Sequence, residues 1–112
     1  MAKNNKNGNA AVLEKNPLKL APPTVRIEFP RDGETITHPS YSLQIETDAE
    51  APSVDVSIDQ GDWQPCRQSL GLWWFDWSDY DTGEHEAVAR TRKPDGSTVS
   101  SEARVFQVNL SA

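Results

Sequence analysis

The side chains of this 112-residue chain with the most chemistry in them are two histidines, one cysteine and a run of carboxylates between residues 55 and 86. His85 lies in Asp81-Thr82-Gly83-Glu84-His85-Glu86, where an imidazole serves as a base, a metal ligand or a hydrogen-bonding anchor. His38 stands in a separate loop before Pro39, and without a His-x-His or Cys-x-x-Cys spacing a zinc site is not expected. The series Asp55-x-Ser57-x-Asp59-x-Gly61 begins like a calcium loop and then departs from it. Gln60 stands where the loop glycine belongs, and Cys66 where the bidentate glutamate belongs. Asp76, Asp79 and Asp81 could gather round calcium at one end of the fold, but a solvated acidic rim is the expectation. No Gly-x-Ser-x-Gly elbow surrounds any serine, and a domain this small seldom offers the deep cleft that paired catalytic carboxylates need. Cys66 has Arg67 beside it, which would lower its pKa slightly; a lone, partly buried thiol is expected. No catalytic residue, no metal and no cofactor follows from these patterns.

Aromatic residues offer the other chemistry. Trp74, with Trp63 and Tyr80 as neighbours, is a candidate ligand-binding platform, because exposed rings stack on sugars or anchor a protein partner. The plainer reading is that Trp63 and Trp74 cover the edge of a thin core.

Strands must position these groups. Val25, Ile27 and Phe29 alternate with Arg26 and Glu28 in a first strand ending at Pro30, and Arg31-Asp32-Gly33-Glu34 is a turn. Tyr41, Leu43 and Ile45 predict a second strand, and Val54, Val56 and Ile58 a third. Asp59-Gln60-Gly61-Asp62 predicts the hairpin that leads to Trp63. In the aromatic strand a shift of one residue would exchange the two faces. Burying Asp76 without a partner is costly, so Trp73, Phe75 and Trp77 are placed inward and Trp74 outward. His85, Ala87, Ala89 and Thr91 then face the same core, their small members leaving room for the indoles. Pro94-Asp95-Gly96-Ser97 turns the chain into a last strand of Phe106, Val108 and Leu110.

The pattern predicts an all-β sandwich of seven or eight antiparallel strands over residues 24–112, preceded by a disordered tail over 1–23. The net charge of −6 is uneven. Residues 1–20 carry four lysines against one glutamate, +3, and the remainder carries seven basic and sixteen acidic side chains, −9. An acidic globule repels phosphate, so nucleic acid and anionic membrane are excluded as main partners. One cysteine permits no internal disulfide, and no leader-like or membrane-length apolar run occurs, so a cytoplasmic location is expected.

The run Pro30-Arg31-Asp32-Gly33-Glu34-Thr35-Ile36-Thr37 before Tyr41-Ser42-Leu43 resembles the opening of bacterial immunoglobulin-like domains. Val54 to Trp63, and Trp73-Trp74-Phe75-Asp76-Trp77 before Gly83-Glu84-His85, are similar to immunoglobulin-like accessory modules, including the dimerisation domain of sulfite oxidases. The resemblance covers residues 24–110 and implies an immunoglobulin-like fold; no molybdenum function is carried over. Immunoglobulin domains proper have Asp-x-Gly-x-Tyr-x-Cys, where this chain has His85 for the tyrosine and Ala87 for the cysteine. His85 is therefore expected to bond backbone in place of the corner tyrosine. The resemblance implies a non-enzymatic interaction or accessory module acting through protein contacts, with homodimerisation or edge-strand pairing as the mode. The alternative is a carbohydrate-binding module using Trp74, Trp63 and Tyr80.

Overall fold

The computed structural model describes residues 25–47, 51–93 and 95–111; the tail assigned to 1–23 lies outside them. Alternating apolar residues build the long strands: β1 (Val25–Phe29), β3 (Ser40–Thr47), β4 (Val54–Ile58), β7 (Leu72–Ser78), β8 (Gly83–Arg92) and β10 (Arg104–Val108). Between them lie β2 (Thr35–Ile36), β5 (Gln64–Pro65), β6 (Arg67–Ser69) and β9 (Thr98–Ser100), too short to show a period in sequence.

The strands form two sheets. One runs β2-β10-β8-β4-β5, with β9 also on β8, and the other runs β1-β3-β7-β6. Their facing sides enclose Val25, Ile27, Leu43, Ile45 and Trp73 from the second sheet, and Val54, Val56, Ala87, Ala89, Phe106 and Val108 from the first. The register predicted for the aromatic strand holds: Trp73 is buried at 7% exposure, and Phe75 and Trp77 pack against the core. Asp76 points outward, where Arg67 Nε donates to it at 2.8 Å and the Ser42 hydroxyl at 2.7 Å. Those two donors hold its carboxyl down at about 2, and they explain why this register leaves no buried charge.

Three details differ from the sequence reading. Ten strand segments occur among the described residues, and one pair, β2 with β10, is parallel instead of antiparallel. The parallel pair arises because the chain changes sheets across the Arg31–Glu34 turn, where Gly33 N–H donates to the Val105 carbonyl at 2.8 Å. Leu110 lies beyond the last strand and is 39% exposed, since pairing ends at Val108. In the β4–β5 hairpin, predicted over Asp59-Gln60-Gly61-Asp62, the left-handed positions are Asp59 (φ 55°) and Gln60 (φ 59°). Gly61 instead approaches the backbone closely: a Cβ there would sit 3.1 Å from the Ile58 oxygen.

Candidate functional site

Where β7 and β8 meet, four rings gather at one end of the sandwich. Tyr80 stacks on Trp77 at 3.9 Å between centroids, and Trp77 meets Phe106 edge-on at 5.7 Å. His85 lies edge-on to Trp77 at 5.1 Å and stacked near Phe106 at 6.1 Å. Strand alternation aims Trp77, His85 and Phe106 inward; Asp79 in the left-handed region (φ 61°) then turns the chain so that Tyr80 folds back over Trp77.

Polar groups lock this cluster to the loops. The Tyr80 hydroxyl donates to the His38 carbonyl, joining the β7–β8 turn to the segment before β3. His85 Nε2 donates to the Asp81 carbonyl at 2.7 Å, which is the backbone bond expected of a residue in the corner position. Its Nδ1 lies 2.7 Å from Asp59 Oδ2 in the β4–β5 turn, and Asp59 Oδ1 accepts from Glu86 N–H at 3.0 Å. Burial of His85 opposes its charge, but the Asp81 carbonyl and the Asp59 carboxylate outweigh that and raise its pKa. Both ring nitrogens face acceptors, so the doubly protonated ring fits and neither nitrogen is free to act as a base. Asp59 escaped the sequence reading as a partner because 26 residues separate it from the histidine.

The three aromatic candidates do not share a surface. Tyr80, stacked on Trp77, is buried at 8% exposure, so it is no member of an exposed platform. Trp74 is half-buried on the outer face of the β1-β3-β7-β6 sheet, its indole N–H donating to the Ser69 carbonyl at 3.0 Å. Trp63 is 38% exposed and lies against the outer face of the other sheet, with the Arg90 guanidinium 4.1 Å above its ring. Trp63 and Trp74 are therefore on opposite sides of the sandwich. Neither indole is among the half-buried side chains packed against the core.

What the structure does assemble is an open groove of about 350 Å³ between β7 and the β4–β5 hairpin. Phe75, Trp77 and Tyr80 form its aromatic wall, with Ile58 opposite. Asp59, Asp62, Asp79 and Asp81 stand round it, and His85 is the one basic lining residue. Phe75 and Trp77 face the core yet stay half-exposed here because the edge strand β6 covers only Leu72 to Trp74. Asp76 belongs to the outer face with Arg67 and does not join Asp79 and Asp81; no cluster of three metal-ligating side chains occurs among the described residues.

Cys66 sits where the chain crosses from β5 to β6. Burial and the neighbouring Asp55 push its thiol up to about 12, against the lowering expected from Arg67, which is occupied by Asp76. Attack on a disulfide reagent needs the thiolate, so Cys66 is expected to react at pH 8 on the order of a hundredfold or more below a free thiol of pKa about 8.5. A stopped-flow assay with an aromatic disulfide checks this, and a free-thiol rate would show the site to be open.

No family model matches the sequence, and no curated protein matches it. Solved structures do. The fibronectin(III)-like modules of Clostridium thermocellum CbhA match with a TM-score of 0.66 at 14% identity, over 80% of this chain and 99% of theirs. An engineered protein matches with a TM-score of 0.66 at 22% identity, over 90% of this chain and 22% of its own. A modular endo-β-1,4-mannanase of Cellulomonas fimi matches with a TM-score of 0.62 at 22% identity, over 80% of this chain. This chain spans only 19% of the mannanase. At such identities the likeness is one of fold: the chain is an all-β sandwich of the immunoglobulin-like, fibronectin(III)-like kind.

Proposed function

We propose that this domain is a non-enzymatic interaction module working through protein–protein contacts, with self-association as its mode. The observation that carries the reading is the tip of the β6–β7 hairpin. Leu70 and Gly71 form a two-residue turn with φ of 58° and 75°, and Leu70 is 90% exposed. A left-handed leucine costs roughly 1–2 kcal/mol, and an asparagine in its place would remove most of that. A chain that keeps an exposed, strained leucine beside Leu72 and the half-buried Trp74 has an apolar corner suited to a partner. The two reactive groups point the same way, since His85 is bonded at both nitrogens and the Cys66 thiol stays protonated.

Leu70→Asn tests this with two readouts. Folding stability should rise by about 1 kcal/mol in urea unfolding, from the relief of backbone strain. Sedimentation velocity should show a concentration-dependent dimer in the wild type and a monomer in the variant. A wild type that stays monomeric into the millimolar range would sink the self-association reading.

A carbohydrate-binding reading finds its support in the aromatic wall of Phe75 and Trp77, and in the mannanase among the fold neighbours. It would use that groove and not Trp74, Trp63 and Tyr80 together, which face in different directions. The rim carboxylates would accept hydrogen bonds from sugar hydroxyls, but their charge is matched only by a cationic partner, and protein contact is the stronger reading.

A further inference from the structure

The groove beside β7 has an unusual boundary. On one side of β7, pairing with β3 runs the whole length from Trp73 to Ser78. On the other side, β6 pairs only with Leu72, Trp73 and Trp74. Among the described residues, Phe75 to Ser78 therefore have no strand on that side, and this open edge borders the groove. The chain crosses between sheets at Cys66, whose N–H donates to the Val54 carbonyl at 2.8 Å, and this closes only the other end of the same flank.

Apart from His85, the charged groups at the open end are of one sign. Asp59 is occupied by His85 and the Glu86 N–H. The carboxylates of Asp62, Asp79 and Asp81 make no side-chain hydrogen bond or close ion pair among the described residues, although Asp81 feels the charge of His85, and no lysine or arginine lines the groove. Asp62 and Asp79, with Asp81 shared with His85, stand beside the half-exposed ring of Trp77 and favour a cationic group, which gains both Coulomb attraction and the ring face. An open strand edge selects an extended backbone, and pockets beside it select alternate side chains.

We infer that the groove receives an extended peptide segment that pairs with Phe75–Ser78 and places a lysine or arginine against Trp77, between Asp62, Asp79 and Asp81. The inference rests on the reading of this domain as a protein-contact module and names the partner chemistry of a second surface, distinct from the Leu70 corner. Strand addition supplies backbone hydrogen bonds common to any sequence. The carboxylates supply the preference, and that part of the binding weakens as salt screens it.

The test is a titration of the ¹⁵N-labelled full chain with three blocked pentapeptides: Thr-Lys-Val-Lys-Thr, Thr-Glu-Val-Glu-Thr and Thr-Lys-Pro-Lys-Thr. The first should shift the amides of Phe75 to Ser78 and the Trp77 indole N–H. The acidic peptide should bind at least about tenfold more weakly, the order expected of several exposed charge pairs. The proline peptide should also weaken, because its central residue cannot donate to a ladder. A D62N/D79N/D81N variant keeps the backbone, since asparagine tolerates the left-handed position of Asp79, and should lose about tenfold for the lysine peptide alone. Near-UV circular dichroism shows that the variant remains folded.

Equal affinity for the acidic peptide, shifts mapping to the Leu70 and Trp74 face, or no shifts at all would overturn the inference. Mannotetraose shifting Trp77 while the lysine peptide is silent would overturn it in favour of the carbohydrate reading. A monomeric wild type in sedimentation removes the dimer and leaves this groove as it is, so the two failures are distinguishable.

Discussion

Phe106→Ala is expected to destabilise the domain by about 3–5 kcal/mol, the usual cost of removing a buried aromatic ring. Phe106 is fully buried at 0% exposure, and two of its neighbours are the Trp77 and His85 rings. Its loss leaves a cavity where β10 faces β7, bordered by large planar groups that cannot collapse into it without leaving their hydrogen bonds. His85 is held to Asp81 and Asp59, and Tyr80, which covers Trp77, is held to His38. The site therefore relaxes poorly, which puts the cost toward the upper part of the range. For a small domain with roughly 5–15 kcal/mol in hand, this is a large fraction of the total. Urea unfolding should show a lower midpoint at unchanged slope. Leu110→Ala is the control: at 39% exposure and outside any strand, it should cost about 1 kcal/mol or less. A Phe106→Ala cost as small as that of Leu110→Ala would mean that the aromatic end is not packed as described.

The same cluster shows how far local pattern carries. Alternation placed Val25, Ile27, Leu43, Ile45, Val54 and Val56 inward, and all six are buried. The cost of burying a carboxylate was enough to orient the aromatic strand, and the outward Asp76 with its Arg67 and Ser42 donors bears that out. The corner position of His85 was legible too, because its backbone acceptor lies only four residues back. Alternation stopped being a guide at Asp79, whose left-handed backbone turns Tyr80 inward when its place in the chain suggested a surface. Trp63 and Trp74 are expected from the sequence to be neighbours, as exposed aromatics of one platform. They part company because the chain changes sheets between them, and which sheet a strand joins is settled by long-range pairing. The groove itself was invisible for the same reason. It exists where β6 stops short, and a three-residue strand leaves no period to read.

His85→Phe is the second substitution with a large expected effect, and its dependence on pH is the informative part. Phenylalanine keeps a ring against Trp77 and Phe106 but makes neither the bond to the Asp81 carbonyl nor that to Asp59. Hydrogen bonds to a charged group are worth about 1.5–3 kcal/mol each. Asp59 is 48% exposed and regains water, so the two together come to about 2–3 kcal/mol below neutral pH. The His85 side chain is itself only 12% exposed, so its own side of the pair is little screened. Its pKa is raised in the folded state above the ordinary 6.5, because the Asp81 carbonyl and Asp59 carboxylate outweigh the opposing effect of burial. A group raised on folding contributes its full stability below the unfolded value and loses it as pH climbs through the folded one. The reason is visible in the geometry: a neutral imidazole has one N–H for two acceptors, and above that pH one of the two bonds must go. Wild-type stability should therefore fall from about pH 6.5 upward, while the Phe variant lacks this titration. The gap between them should be widest near pH 6 and narrower at pH 9; the Cys66 thiol, held up at about 12 in the fold, ionises on unfolding at pH 9 in both proteins alike and so cancels from the gap. Urea unfolding of both proteins at the two pH values measures it. A gap that stays constant from pH 6 to pH 9 would mean that the histidine is held as a neutral ring, with water or a rotated Asp59 taking the second bond. It would also leave the groove one positive charge poorer, with all four of its carboxylates facing any ligand unopposed by His85.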